Sequence, residues 1–100
     1  MKKQIVLLKT ANNKMKSIVF FYTMKNEPEL IKGLVPEHIK YWKNLDLVDY
    51  KGGPFIDRSG GLITFSSDDL EQANKIVSGD PFVKWHLISD KHIKVWIAEN

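Results

Sequence analysis

Residues 17–23, Ser17-Ile18-Val19-Phe20-Phe21-Tyr22-Thr23, are β-branched or aromatic at every position after the serine. Such side chains fit a pleated, half-buried surface. Lys16 on one side and Lys25-Asn26-Glu27-Pro28 on the other bound the run, so it reads as a buried strand. Downstream, from Pro36, the period changes: Ile39, Trp42 and Leu45 recur every three residues, with His38 and Tyr41 alongside. Proline suits the first turn of a helix and Glu37 its positive end, which predicts a helix over about 36–45. A turn of helix over 28–32, ended by Gly33, precedes it, and a short strand over Leu47–Tyr50 follows.

Further along, Gly52-Gly53-Pro54 interrupts regular structure, and Asp57-Arg58-Ser59-Gly60-Gly61 forms a second glycine-rich turn before Leu62-Ile63-Thr64-Phe65 resumes β character. Ser66 or Ser67 is placed to cap a helix with Asp68, Asp69 and Glu71 in its first turn. Its apolar stripe is Leu70, Ala73, Ile76 and Val77, and Gly79 ends it. Ile93, Val95 and Ile97, alternating with Lys94 and Trp96, give a last strand beginning near His86. The order β-α-β-β-α-β is an α+β, ferredoxin-like (split βαβ) arrangement: an antiparallel sheet with both helices on one face. Apolar residues on the opposite face would be exposed in a monomer, so a homodimer joined face to face is expected.

The chain of 100 residues, 43% apolar and 27% charged, fits one domain. At this size it buries somewhat over 60% of its unfolded surface, enough for a core without staples. The absence of cysteine excludes disulfides, thiolate zinc sites, iron–sulfur clusters and a cysteine nucleophile, and fits a reducing compartment. A cytoplasmic location is therefore expected. No membrane association is expected, because no apolar run approaches the roughly 18 residues of a membrane helix.

The net charge of +3 invites a nucleic-acid reading. It dissolves once the charge is located: Lys2, Lys3, Lys9 and Lys14 stand without any acid in residues 1–14, while the remainder holds 11 basic and 12 acidic residues. The body is close to neutral, and its strands carry no aromatic-basic motif of the RNA-binding kind, so no nucleic-acid partner is expected. The domain proper is taken as 15–100. Residues 1–14 form an extension, either an edge strand over Gln4–Lys9 or the result of a start set ahead of Met15.

Two ionisable residues stand out by context. His38, near the start of the expected helix and beside its sheet-facing stripe, is favoured neutral by the helix N-terminus, which suits a base; the plain alternative is a half-buried histidine bonded to backbone. Asp80 lies between the helix stop Gly79 and Pro81, with Phe82, Val83 and Trp85 following. It either caps a helical turn starting at Pro81 or is held to orient and polarise His38. The glycine pairs permit backbone to approach a ligand, but the lysine and hydroxyl residue of a phosphate loop are missing, so a hairpin connection is the simpler reading. His86 and His92, six apart, match no strong metal-ligand spacing, and no metal or cofactor is expected.

Glu37-His38 with Tyr41, Gly52-Gly53-Pro54-Phe55, Gly60-Gly61-Leu62 and Asp80-Pro81-Phe82-Val83, in this order and at these distances, resemble the YCII-related (YciI-like) family over about residues 16–98. The resemblance implies a dimeric α/β barrel of ferredoxin-like subunits, similar to muconolactone isomerase and the antibiotic-biosynthesis monooxygenases. It also implies a histidine–aspartate dyad, here His38 and Asp80. Small cyclic or aromatic substrates would be handled by acid–base chemistry such as dehydrohalogenation or isomerisation. Tyr41, Gly53, Pro54, Phe55 and Phe82 are then the expected substrate contacts. The alternative is a module that holds a metabolite in the same pocket without converting it.

Overall fold

The computed structural model describes residues 15–99. The extension over residues 1–14 lies outside them. Strand β1 (Lys16–Met24) sits in the middle of a four-stranded sheet and pairs antiparallel with β3 (Gly60–Ser67) on one side and β4 (Ile88–Trp96) on the other. Strand β2 (Lys51–Pro54) adds to the far edge of β3, giving the order β2-β3-β1-β4 of a ferredoxin-like fold. The period-2 alternation of β1 sends Ile18, Phe20 and Tyr22 into the core. Val19 and Phe21 point to the opposite face. There the register sets them beside Leu62 and Thr64 of β3 and His92 and Lys94 of β4.

Helix α1 runs unbroken from Pro28 to Asn44, longer than the sequence suggests. Pro28 takes the first turn, and Gly33, expected to end a helical turn, and Pro36, expected to start the helix, both lie inside. Gly33 stops a helix only by turning left-handed, and no described glycine has positive φ. The inward stripe is Ile31, Leu34, His38, Tyr41, Trp42 and Leu45, at helical spacing. Ile39, expected in the core, is exposed beside it. Trp42 is fully buried and packs near Phe20, Phe65 and Tyr50, with ring centroids 5.6 to 6.2 Å away.

The second strand also differs from expectation. Leu47–Tyr50 is an irregular turn, because Asp46 and Asp49 adopt φ of 51° and 56°, left-handed backbone that breaks an extended run and that aspartate tolerates. The strand is the Lys51-Gly52-Gly53-Pro54 stretch itself. It is a short edge, where Pro54 is tolerated, and a Cβ on Gly52 would press within 3.0 Å of Ile63 and the Tyr50 hydroxyl. Gly60 and Gly61 likewise belong to β3, not to the turn; a Cβ on Gly61 would reach 2.5 Å from the Tyr22 hydroxyl, so glycine here lets Tyr22 lie across the sheet.

Helix α2 (Leu70–Ser78) is capped by Asp69, whose side chain accepts from Gln72 N at 2.8 Å, rather than by Ser66 or Ser67. Ala73 and Val77 are its buried residues. A four-residue helix α3 (Pro81–Lys84) follows, and β4 begins at Ile88 and ends before the exposed Ile97. No helix among the described residues is long and apolar enough to cross a membrane.

Candidate active site

The site forms where α1 meets α3. Pro81 starts α3, and Asp80, in extended backbone just before it, accepts the Phe82 amide on Oδ1 at 2.8 Å as an N-cap. The same oxygen accepts from His38 Nδ1 at 2.9 Å, and Oδ2 accepts from Trp42 Nε1 at 2.9 Å. Capping and holding the histidine, which the sequence leaves as alternatives, are thus the work of one carboxylate. His38 and Trp42 lie four residues apart on one face of α1, so one turn of helix delivers both donors. Asp80 is fully buried, while the His38 side chain keeps 14% of its surface exposed.

A carboxylate only accepts, so the bond fixes the His38 proton on Nδ1 and leaves the lone pair of the neutral ring on Nε2. Phe82 stacks on the imidazole at 4.2 Å between centroids and 13° between planes, which holds the ring's plane as Asp80 holds its edge. Because α1 begins at Pro28, His38 stands in its third turn, away from the helix's positive end. Its orientation comes from Asp80 and Phe82.

His38 lines a cleft of about 500 Å³ between α1 and the β2–β3 edge. Gly53, Pro54 and Phe82 line it, as the sequence suggests. Tyr41 does not: it turns toward α2, where its hydroxyl donates to the Ile76 carbonyl at 2.6 Å beside Gly79. Phe55 also stands outside the cleft. Its amide donates to the Gly60 carbonyl at 2.8 Å, which closes the β2–β3 hairpin. The cleft adds residues that sequence reading passed over: Tyr22, Tyr50, Lys43 and Arg58. Burial, with the Asp80 charge second, pushes the Tyr22 and Tyr50 phenols up from their ordinary value, so both remain neutral donors at physiological pH. His86 and His92 lie elsewhere, and among the described residues no three His, Cys, Asp or Glu side chains gather in a metal-holding group.

The family model of the YCII-related domain matches residues 15–97, nearly all of the described chain. The chain belongs to the YCII-related domain family. In fold it is similar to the 5-chloro-2-hydroxyhydroquinone dehydrochlorinase (TftG) of Burkholderia phenoliruptrix, solved in complex with 2,5-dihydroxybenzoquinone. That match has a TM-score of 0.72 at 16% identity and covers 83% of this chain and 95% of that one. No curated protein matches the sequence. Within this YCII-related domain, a carboxylate-anchored imidazole beside an aromatic cleft is equipped to take a proton at Nε2 and to return it.

Proposed function

We propose that this YCII-related domain is a small-molecule enzyme in which His38 acts as general base and acid and Asp80 orients it, on a small cyclic or aromatic substrate. The observation that carries the reading is the 2.9 Å hydrogen bond from His38 Nδ1 to the buried Asp80, with His38 itself lining the cleft. Nε2 takes a hydroxyl or ring proton of the substrate. Where the proton is returned to the chlorine-bearing ring carbon, and a second hydroxyl proton is lost as chloride departs with its C–Cl electron pair, the net change is loss of HCl, the kind of reaction named for the structurally similar dehydrochlorinase. Where the proton is returned to another ring atom, the change is an isomerisation. Gly53 and Pro54 wall the cleft, and Phe82 holds the catalytic ring.

The domain acts as a homodimer through its open sheet face. Phe21, Leu62 and Trp96 stand on that face, opposite both long helices, and Leu62 and Trp96 are exposed in the single chain. A second copy of the same face would cover them. Light scattering at micromolar concentration should give about twice the 11.6 kDa chain mass, and Phe21→Glu should return it to that mass. A monomer in the parent protein would contradict the arrangement.

The reaction is tested by incubating the purified protein with chlorinated hydroquinones and unsaturated lactones, following chloride release and ring absorbance. Turnover of any of them should fall by about 10² to 10⁴ in His38→Ala with native circular dichroism. Equal rates in parent and variant would overturn the proposal. Recovery of a tightly bound ring compound, unchanged after long incubation, would instead favour a binding module.

A further inference from the structure

Resting on the reading of the cleft as a substrate site, a second feature concerns what the substrate carries. Besides His38, the ionisable groups lining the cleft are two cations, Lys43 and Arg58, and two phenols, Tyr22 and Tyr50. Among the described residues no Asp or Glu lines it. Asp80, the carboxylate that holds His38, is fully buried and already accepts three hydrogen bonds. Neither Lys43 nor Arg58 forms an ion pair among the described residues. Asp57, the acid next to Arg58, is turned instead onto its own loop: it accepts from the Ser59 hydroxyl and amide, which lower its pKa. Both phenols are held neutral, so they cancel none of the positive charge.

Arg58 also occupies an unusual backbone position. At the tip of the β2–β3 hairpin it has φ of 64°, the left-handed region that favours glycine or asparagine. Turn chemistry gives no reason for a long basic side chain there. The Arg58 side chain lines the cleft wall, as Lys43 does from the last turn of α1.

We propose that Lys43 and Arg58 form an anion clamp that makes the cleft select ring substrates bearing a negatively charged oxygen, a phenolate or a ring carboxylate. The ring lies in the aromatic cleft with its reacting edge toward His38 Nε2 and its anionic oxygen toward the two cations. Where that oxygen is a phenolate, its lone pair becomes a C=O bond as the ring pair expels chloride; a ring carboxylate serves recognition alone.

The experiment compares matched ligands by calorimetry. 2,5-Dihydroxybenzoate is set against its neutral amide, and 2,5-dihydroxybenzoquinone at a pH where it is ionised is set against hydroquinone, so that carboxylate and phenolate are read separately. The parent protein should bind the anion of at least one pair about tenfold more tightly than its neutral partner, and the preference should shrink with added salt. Lys43→Gln combined with Arg58→Asn should abolish it; asparagine tolerates the left-handed backbone, so the loop is preserved. His38→Asn should lose turnover yet keep the preference, which separates failure of the clamp from failure of the acid–base proposal. Equal affinity within both pairs, a preference that survives the double variant, or no binding of either anion at millimolar concentration would overturn the clamp.

Discussion

Two histidine–aspartate pairs of nearly equal length sit on opposite faces of this molecule. His38 and Asp80 meet at 2.9 Å under the helices; His92 and Asp90 meet at 3.0 Å on the open face of β4. Each imidazole even stacks on a phenylalanine, His38 on Phe82 at 4.2 Å and His92 on Phe21 at 4.8 Å. What separates them is everything behind the carboxylate. Asp80 is 0% exposed and takes two further donors, an indole and a backbone amide, whereas Asp90 is 68% exposed and lies two residues from its partner on one strand. In the single chain water reaches the outer pair and lets it come apart at little cost, while the inner pair is fixed by elements 42 residues apart in the chain. A short distance is common to both, and anchoring belongs to one.

The sharpest way to break this contrast is to truncate each histidine. With a substrate in hand, His38→Ala should lower turnover by about 10² to 10⁴ while His92→Ala stays within about twofold, measured as kcat on folded protein. Truncating the acids reads stability. Asp80→Ala strands the Trp42 indole and the Phe82 amide and removes the α3 cap, and should cost about 2–4 kcal/mol in urea unfolding. Asp90→Ala should stay within about 0.5 kcal/mol.

A smaller effect comes from Tyr22, raised by burial first and by the Asp80 charge second. Its folded pKa lies above the unfolded value of 10.0, so above that pH the unfolded chain sheds a proton that the native state keeps. Stability is therefore complete below about pH 10 and falls beyond it, by up to about 1.4 kcal/mol per pH unit from this group. Tyr22→Phe should flatten that alkaline slope, read from unfolding midpoints between pH 9 and 11. An unaltered slope would mean that the phenol is not buried against Asp80.

Much of the fold was legible because β1 is an unbroken β-branched and aromatic run, α2 repeats its apolar residues at helical spacing, and the Gly79-Asp80-Pro81 step marks the end of one helix and the start of another. The readings that failed did so for physical reasons. Gly33 looks like a stop and Pro36 like a start, yet α1 runs through both. Gly52-Gly53 looks like a turn, yet it is edge strand, in which Gly52 lies close against Ile63 and Tyr50. Within the site, His38 and Asp80 could be singled out from local context, but Trp42 could not, since tryptophan in an apolar helical stripe reads as core. The one available signal was its position four residues after His38. Tyr41, three residues after, turns toward α2 and Ile76. Lys43, Tyr50 and Arg58 sit at a helix end, an irregular segment and a hairpin tip, and only the tertiary fold brings them to one cleft.

The central claim is that Asp80 holds the His38 proton on Nδ1 and leaves Nε2 open to the cleft, and nitrogen NMR of the ¹⁵N-labelled protein tests it without any substrate. In the neutral rings, long-range proton–nitrogen spectra should show His38 as the Nδ1–H tautomer, and Asp80→Ala should release that preference. The outer pair supplies the internal control, since Asp90 meets His92 at Nε2. A His38 found as the Nε2–H tautomer, or unmoved by loss of Asp80, would contradict the account.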